Sequence, residues 1–374
     1  MDLNLLPYQI GIDMIPKIGS INAKRLIAYC GGVEAVFKES KNALTKVPGI
    51  GSVIAHEIVN QNVLDRAKIE VDFIVKHNIQ AFFYLDNDYP QRLKQCEDGP
   101  IVLFVSAKTS IDFNQQKVIS VVGTRSITDY GKAICEDIIS SLAKRGHNPI
   151  IVSGLAYGVD ICAHRAALKN DLPTVAVLGH GLNTIYPSIH RNTAKEIYEK
   201  GALVTDFPSG TTFDRNNFIK RNRIIAGLSD ATLVVESAEQ GGSLITADIA
   251  VSYNREVFAI PGQVGSKYSR GCNLLIKTNK AALIDSADDI EFQLDWGEGS
   301  TEKNNPQLSL FTELSADEQA VFNVVRERGQ EVIDVICFKT KFPVAKVSAL
   351  LLNLEFAGLV KSRPGKVYSL TRSL

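Results

Sequence analysis

The chain reads as an α/β protein built around a parallel sheet, with an all-helical domain before the sheet and a small domain of helices ending in a hairpin after it. Three observations predict this. From about residue 80 to 293, near-continuous apolar runs alternate with amphipathic helical stretches, the pattern of buried parallel strands and their crossover helices. Residues 1–78 carry helical periodicity without strand-like runs. The last 60 or so residues read as three helices and a hairpin punctuated by Gly358, Pro364 and Gly365.

Size and composition agree with that division. The chain has 374 residues, 45% apolar and 22% charged, with a formal net charge of zero; one core rarely grows so large, so roughly two to four domains are expected. No run reaches the roughly 18 apolar residues of a membrane span, and Met1-Asp2-Leu3-Asn4-Leu5 lacks the basic start of an export signal. A cytoplasmic protein with no membrane attachment is expected. Cys30, Cys96, Cys135, Cys162, Cys272 and Cys337 are scattered, without a C-x-x-C pair or a histidine at zinc spacing. They read as buried, reduced thiols, and neither a metal nor a cofactor is expected. Charge is unevenly spread. Residues 285–318 hold ten acids against Lys303 alone, and residues 339–374 seven bases against Glu355 alone. That asymmetry suggests a partner that meets the basic parts and an acidic linker that avoids it.

Taken in order, residues 1–78 are expected to form a helix-hairpin-helix (SAM-like) domain. Its core motif runs from Leu44 to Ala55, an apolar residue, a tight turn at Gly49 and Gly51, then small and apolar residues at helical spacing. A weaker copy from Ile15 to Ala23 lacks the second glycine. Such hairpins offer N–H groups to a phosphate, or serve only as packing modules; Lys17, Lys24, Arg25 and Lys46 are too few to choose between the two. Residues 79–293 are expected to form the sheet domain, with strands at 118–122, 150–152, 175–178, 203–205, 233–235 and 257–259. Ala133, Ile134, Ile138 and Leu142 are spaced for one helical face. In such folds ligands sit at the carboxyl ends of the strands, where the motifs below fall. Residues 294–312, rich in Gly, Ser, Asn, Pro and acids, form a linker. Residues 313–374, with helices at 316–328, 331–338 and 344–357, form a winged-helix domain.

The most informative stretch is Phe218-Ile219-Lys220-Arg221-Asn222-Arg223-Ile224. Three cations beside an aromatic and an amide are what a phosphodiester backbone with stackable bases asks for. A solvated charged face is the ordinary reading of such a run, but Asn217, Phe218 and Asn222 interleave and only Asp214 is near enough to pair. On a helix, Lys220 and Arg223 share a face, with Arg221 about 100° away. The first strand-to-helix turn, Gly123-Thr124-Arg125-Ser126, is not G-x-G-x-x-G and gives a dinucleotide no cradle. A small turn with N–H groups and hydroxyls beside a guanidinium fits a single phosphate instead; the alternative is Arg125 paired with a carboxylate. Ser153-Gly154-Leu155-Ala156-Tyr157-Gly158-Val159-Asp160 is weak alone and could only cap a helix. Gly179-His180-Gly181 lacks a third glycine, and His180 reads as a loop histidine. Gly241-Gly242-Ser243, followed by Thr246, places N–H donors and a helix macrodipole against an anion. No Ser/His/Asp triad, metal set or paired carboxylates emerge, which favours binding over catalysis.

In order, Gly123-Thr124-Arg125-Ser126, Ser153 to Asp160 with Ala163-His164, Tyr186-Pro187, Asn217-Phe218 with Arg221 to Ser229, Gly241 to Ala247 and Ala259-Ile260-Pro261-Gly262 resemble the bacterial DNA-processing protein A (DprA, Smf) family, over roughly residues 80–290. The resemblance implies a Rossmann-like domain that binds single-stranded DNA, acts as a homodimer, protects incoming DNA and loads the recombinase onto it during natural transformation. Carried over by position, Arg125, Lys220, Arg221 and Arg223 are its phosphate-binding residues. Gly123, Ser126, Ser153, Gly154, Phe218, Asn222, Gly242, Ser243 and Thr246 complete the expected DNA site, with Phe213, Phe218 or Tyr268 as stacking partners for bases. Two positions depart from the pattern: Leu155 where many members have Gly, and Ile219 where Pro is common. Lys346, Lys361, Arg363 and Lys366 of the winged helix are expected to hold duplex or contact a partner.

Within the linker, Gln307-Leu308-Ser309-Leu310-Phe311 resembles the short peptide by which bacterial proteins dock into the replicative sliding clamp; the alternative is that Leu308, Leu310 and Phe311 pack onto the winged helix. Two rival functions stay open. One is a nucleoside-monophosphate N-glycosidase, although the stretch from Gln240 to Thr246 lacks the Pro, later Gly and Glu of that chemistry. The other is a duplex-binding regulator led by the winged helix.

Overall fold

The computed structural model describes residues 2–297, 314–357, 359–363 and 367–370. Nine strands make one sheet: β1 (Gln80–Phe83), β2 (Val102–Ser106), β3 (Val118–Val122), β4 (Ile150–Ser153), β5 (Thr174–Val177), β6 (Ala202–Thr205), β7 (Ala231–Val234), β8 (Glu256–Ala259) and β9 (Ala282–Leu283). Their order is β1-β2-β6-β5-β4-β3-β7-β8-β9. The strands from β6 to β9 along that order pair in parallel, while β2 on β6 and β1 on β2 are antiparallel. All six strands expected from the sequence are present. Of the three others, β1 and β9 are short edge strands. The third, β2, is an interior strand paired with β1 and β6, and its apolar run 101–105 is not among the strands expected from the sequence.

Every residue of β3, β4, β5, β6 and β7 is buried, which explains their mostly apolar character; buried Ser120 and Thr232 satisfy each other through a 2.8 Å hydrogen bond. Successive residues feed opposite layers: Val118, Val122, Ile150 and Val152 pack on one face, and Ile119, Val121, Ile151 and Leu233 on the other. The helix Asp129–Lys144 starts where the Thr128 hydroxyl accepts the Gly131 N–H at 3.2 Å. It buries Cys135, Ile138, Ile139 and Leu142, whereas Ala133, expected on that face, is exposed.

Strand order reverses at β3. The chain runs outward through β4, β5 and β6, then returns to place β7 on the other side of β3. This opens a crevice beyond the carboxyl ends of β3, β4 and β7, the usual ligand position in an open α/β sheet.

The N-terminal segment is helical throughout, with helices Leu6–Met14, Ser20–Cys30, Val33–Lys38, Lys41–Leu44, Ser52–Val59 and Val63–Lys76. Leu44, Val47, Ile50, Ala55 and Ile58 of the hairpin motif are buried in its core. That same core takes in Ala81 and Phe83 of β1 and Val102 and Phe104 of β2. By contacts the chain divides into two compact units, Met1–Glu302 and Lys303–Leu374, so the helical layer and the sheet form one of them.

In the second unit, helices Ala316–Arg328, Ile333–Thr340 and Val344–Phe356 pack with β10 (Gln330–Val332), β11 (Val360–Arg363) and β12 (Val367–Leu370), in the order β10-β12-β11. The first helix opens with a capping box between Ser315 and Glu318. Left-handed Gly329 closes it (φ 75°), and β10 then takes 330–332, so the second helix begins later than the sequence suggested. Val321, Val325, Ile336, Val347, Leu351 and Leu354 form this unit's core. Lys346 is tied to Asp317 at 2.6 Å and lies 4.1 Å over the Phe342 ring, so it is less available than expected. Lys361 is exposed. Lys366 and the 307–311 peptide, including Gln307, Leu308, Leu310 and Phe311, lie outside the described residues. Among the described residues, no helix is long and apolar enough to cross a membrane, and no group of His, Cys, Asp or Glu is placed to hold a metal.

Candidate functional site

A cleft of about 960 Å³ opens at the strand-order reversal, lined by Gly123, Thr124 and Arg125 after β3, by Ala156 and Asp160 after β4, and by residues 238–246 after β7. The helix Arg215–Leu228 forms its other wall.

The first turn is fixed from below. The Thr124 N–H donates to the Glu236 carbonyl at 2.7 Å, and buried Glu236 accepts the Thr128 N–H at 2.8 Å and the Thr128 hydroxyl at 2.5 Å. Anchored so, Arg125 is exposed and lines the cleft. Ser126 beside it is exposed but outside the lining, with its N–H on Thr124 Oγ1 at 3.2 Å.

Arg221 forms the floor. It is 4% exposed; Nη1 donates to the Val177 carbonyl at 3.1 Å, while Nε is buried without a partner. Burial lowers its guanidinium to about 10, with Asp160 opposing the shift and Arg125 adding to it, so it is still a cation at neutral pH. Asp160 accepts the N–H groups of Gly154 and Ala156 at 3.2 and 3.3 Å, and burial raises its carboxyl against the pull of Arg221. Gly154 has a reason to be glycine: a Cβ there would stand 1.5 Å from Arg221 Nη1. Buried His164 bonds Thr174 Oγ1 at 2.7 Å, and burial together with nearby Arg221 and His190 drops it to about 3, so it stays neutral.

Aromatic rings line one wall. Tyr186 lies 5.3 Å from Phe213 and 5.8 Å from Phe218, and Phe213 lies 5.2 Å from His180. Tyr186 and Phe213 are about half exposed, 49% and 53%, and can receive a base. Tyr268, the third expected stacking residue, is not in the lining. Opposite stands the N-terminus of the helix Gly242–Ser252, whose first N–H groups have no intrahelical acceptor. Ser243 and Thr246 line the cleft, but the Ser243 hydroxyl is used internally, donating to Ser237 Oγ at 2.9 Å. That leaves the first backbone N–H groups of the helix, rather than the hydroxyl, as the uncommitted donors at this point.

The acids around the cleft are mostly engaged. Asp248 pairs with Lys280 at 2.7 Å, Glu239 reaches Arg270 at 3.8 Å, and Asp214 caps its helix by accepting the Asn216 N–H at 2.8 Å. Arg125, Arg215 and Arg221 therefore set the sign of the field. Arg215 was not singled out from the sequence, although its place just after an N-cap Asp was a usable signal.

Other expected residues stand elsewhere. Arg223 pairs with Asp206 and donates to the Asp98 carbonyl, on the face of its helix turned from the cleft. Lys220, exposed, shares that side and lies near Asp13. Ser153 is fully buried, its hydroxyl donating to the Val121 carbonyl at 2.6 Å. Gly123, Arg125, Phe218, Arg221, Asn222, Gly242, Ser243 and Thr246 come together in the cleft.

Residues 80–295 match the family model described as DNA recombination-mediator protein A, and residues 309–366 match that of the DprA winged helix domain. The chain is 33% identical to a putative DNA processing protein DprA of Mycobacterium tuberculosis, over 91% of this chain and 88% of the relative. It is 38% identical to Protein Smf of Escherichia coli over 76% of each. Among solved structures, DNA processing protein A of Streptococcus pneumoniae aligns with a TM-score of 0.65 at 28% identity, covering 77% of this chain and 97% of that one. DNA processing protein A of Helicobacter pylori, described for its single-stranded DNA binding mode, aligns with a TM-score of 0.52 at 27% identity, covering 58% and 96%.

Proposed function

Given that the chain belongs to the DNA recombination-mediator protein A family, we propose that it binds single-stranded DNA in the cleft beyond β3, β4 and β7, protects incoming strands, and passes them to a recombinase during natural transformation. The observation that carries this is the convergence of three arginines, an aromatic wall and a helix N-terminus on one open cleft. Phosphates would lie over Arg125, Arg215 and the first turn of Gly242–Ser252, above the buried charge of Arg221. A base turned toward Tyr186 or Phe213 would add about 1–3 kcal/mol with little sequence preference. Duplex DNA keeps its bases stacked inward and cannot use that wall, which gives preference for the unpaired strand.

The role is non-catalytic in this reading. Asp160, the buried carboxylate of the cleft, is committed to two backbone N–H groups and Arg221, and the other lining carboxylates, Asp214, Glu239 and Asp248, are engaged by the Asn216 N–H, Arg270 and Lys280. A homodimer and a recombinase contact belong to the same proposal.

The test is an anisotropy titration of a labelled oligothymidylate and a matched duplex across a salt series, for wild type and Arg125→Glu. Tighter binding of the single strand, weakening as salt rises and lost on charge reversal, is expected. Salt-insensitive binding, or an unchanged affinity in Arg125→Glu, would overturn the assignment.

A further inference from the structure

The mouth of the cleft is shaped by the loop 207–214. Within and beside it, the Phe207 N–H donates to Thr205 Oγ1 at 3.1 Å, the Gly210 N–H to Asn183 Oδ1 at 3.0 Å and Asn217 Nδ2 to the Thr212 carbonyl at 3.2 Å. A further anchor comes from a distant part of the chain. Glu70, on the helix Val63–Lys76 of the helical layer, is 2% exposed. Ser209 donates its N–H to Glu70 Oε1 at 2.8 Å and its hydroxyl to Oε2 at 2.6 Å. Arg66, one turn earlier, donates to the same Oε2 at 2.9 Å and also to the Ser209 carbonyl. A buried carboxylate is unfavourable unless its lone pairs are satisfied, and this one is satisfied by a single loop residue and a neighbouring arginine. Four residues beyond Ser209 stands Phe213, then the cap Asp214 and Arg215, all three in the cleft lining.

We propose that Glu70 is a positioning residue for the cleft: by gripping Ser209 it holds the 207–214 loop so that Phe213 and Arg215 stand ready for the strand. The proposal rests on the strand-binding reading above. It gives the helical layer a task in DNA binding that requires no DNA contact of its own. A loop already ordered costs the ligand nothing to arrange, whereas a released loop must be ordered on binding, and affinity falls accordingly.

A double-mutant cycle tests this, titrating labelled oligothymidylate by anisotropy into wild type, Glu70→Ala, an edge variant carrying Phe213→Ala with Arg215→Ala, and the combination. Glu70→Ala is expected to weaken binding about tenfold, the scale of one lost charge-assisted hydrogen bond. In the edge variant the same change is expected to cost no more than about twofold, because the groups it positions are gone. Glu70→Gln, which keeps an acceptor for the Ser209 N–H, should recover most of the affinity. An undiminished Glu70→Ala, or a penalty that is the same in both backgrounds, overturns the proposal. If Glu70→Ala does not fold, Ser209→Ala replaces it in the same cycle with the same two outcomes. A wild type that fails to bind the oligonucleotide sinks the strand-binding reading itself, an outcome visible before any variant is compared.

Discussion

At the scale of single residues, the cleft depends on close approaches that tolerate little change. Gly154→Ala would put a methyl group 1.5 Å from Arg221 Nη1 and 2.4 Å from Cζ, so the guanidinium must leave its place on the Val177 carbonyl. At least a tenfold loss of strand affinity is expected, about 1.4 kcal/mol, readable by anisotropy. Leu155 next to it is left-handed, φ 59°. That conformation costs a leucine roughly 1–2 kcal/mol. Its side chain, however, is fully buried beside Ile161, Leu178 and Ala194, worth about 1.5–3 kcal/mol, and glycine would add unfolded-state entropy. Burial wins, so Leu155→Gly should lower the urea midpoint rather than raise it. Asp13 supplies a pH prediction. Burial and neighbouring Asp206 push its carboxyl from 3.8 up to about 6. Between those values the folded state binds its proton more tightly than the unfolded one, so stability falls as pH rises through that window. Asp13→Asn should therefore raise the melting temperature above pH 6 and leave it unchanged below about pH 4.

At the scale of elements, the helix Arg215–Leu228 divides its charges between two tasks. Arg215 and Arg221 serve the cleft, while Arg223 turns toward buried Asp206. Helical geometry makes the division: 100° per residue carries position 223 away from the face of 221. Removing Arg223 leaves Asp206, 8% exposed, without its counter-charge, a loss of about 3–5 kcal/mol for a buried pair broken on one side. Arg223→Ala is therefore expected to shift the urea midpoint strongly and to change the salt slope of DNA binding little. Arg125→Ala should do the reverse, keeping stability and lowering the slope by about 0.7. Equal effects of the two variants on the slope would contradict the division.

At the scale of the whole molecule, the helical layer is a structural continuation of the sheet. Its core includes Ile101, Val102 and Phe104, which lie on or beside the antiparallel strand β2, next to the edge strand β1. A fragment of residues 79–297 would expose that face to water and is expected to aggregate or fail to melt cooperatively. The full chain, with its two compact units, should show two calorimetric transitions. A single transition for the full chain would mean that the units stabilise each other.

The sequence by itself determined the sheet, its six central strands and the basic helix, because buried parallel strands are apolar on both faces and need no partner to be recognised. It also singled out Arg125, Arg221 and the Gly242–Ser243 turn, which the structure brings to one cleft, since short local motifs show residue types that suit a phosphate. Arg223, Lys220 and Ser153, of the same residue types, stand outside the cleft lining, because the direction of a side chain depends on what packs against it. Only the tertiary structure decided that Tyr186 joins Phe213 and Phe218, 27 and 32 residues later in the chain, and that Glu70 reaches Ser209 across 139 residues. Local patterns write elements because a helix or strand is specified within a few neighbours. Which side chain enters a cleft is settled by long-range packing, which no short stretch of sequence records.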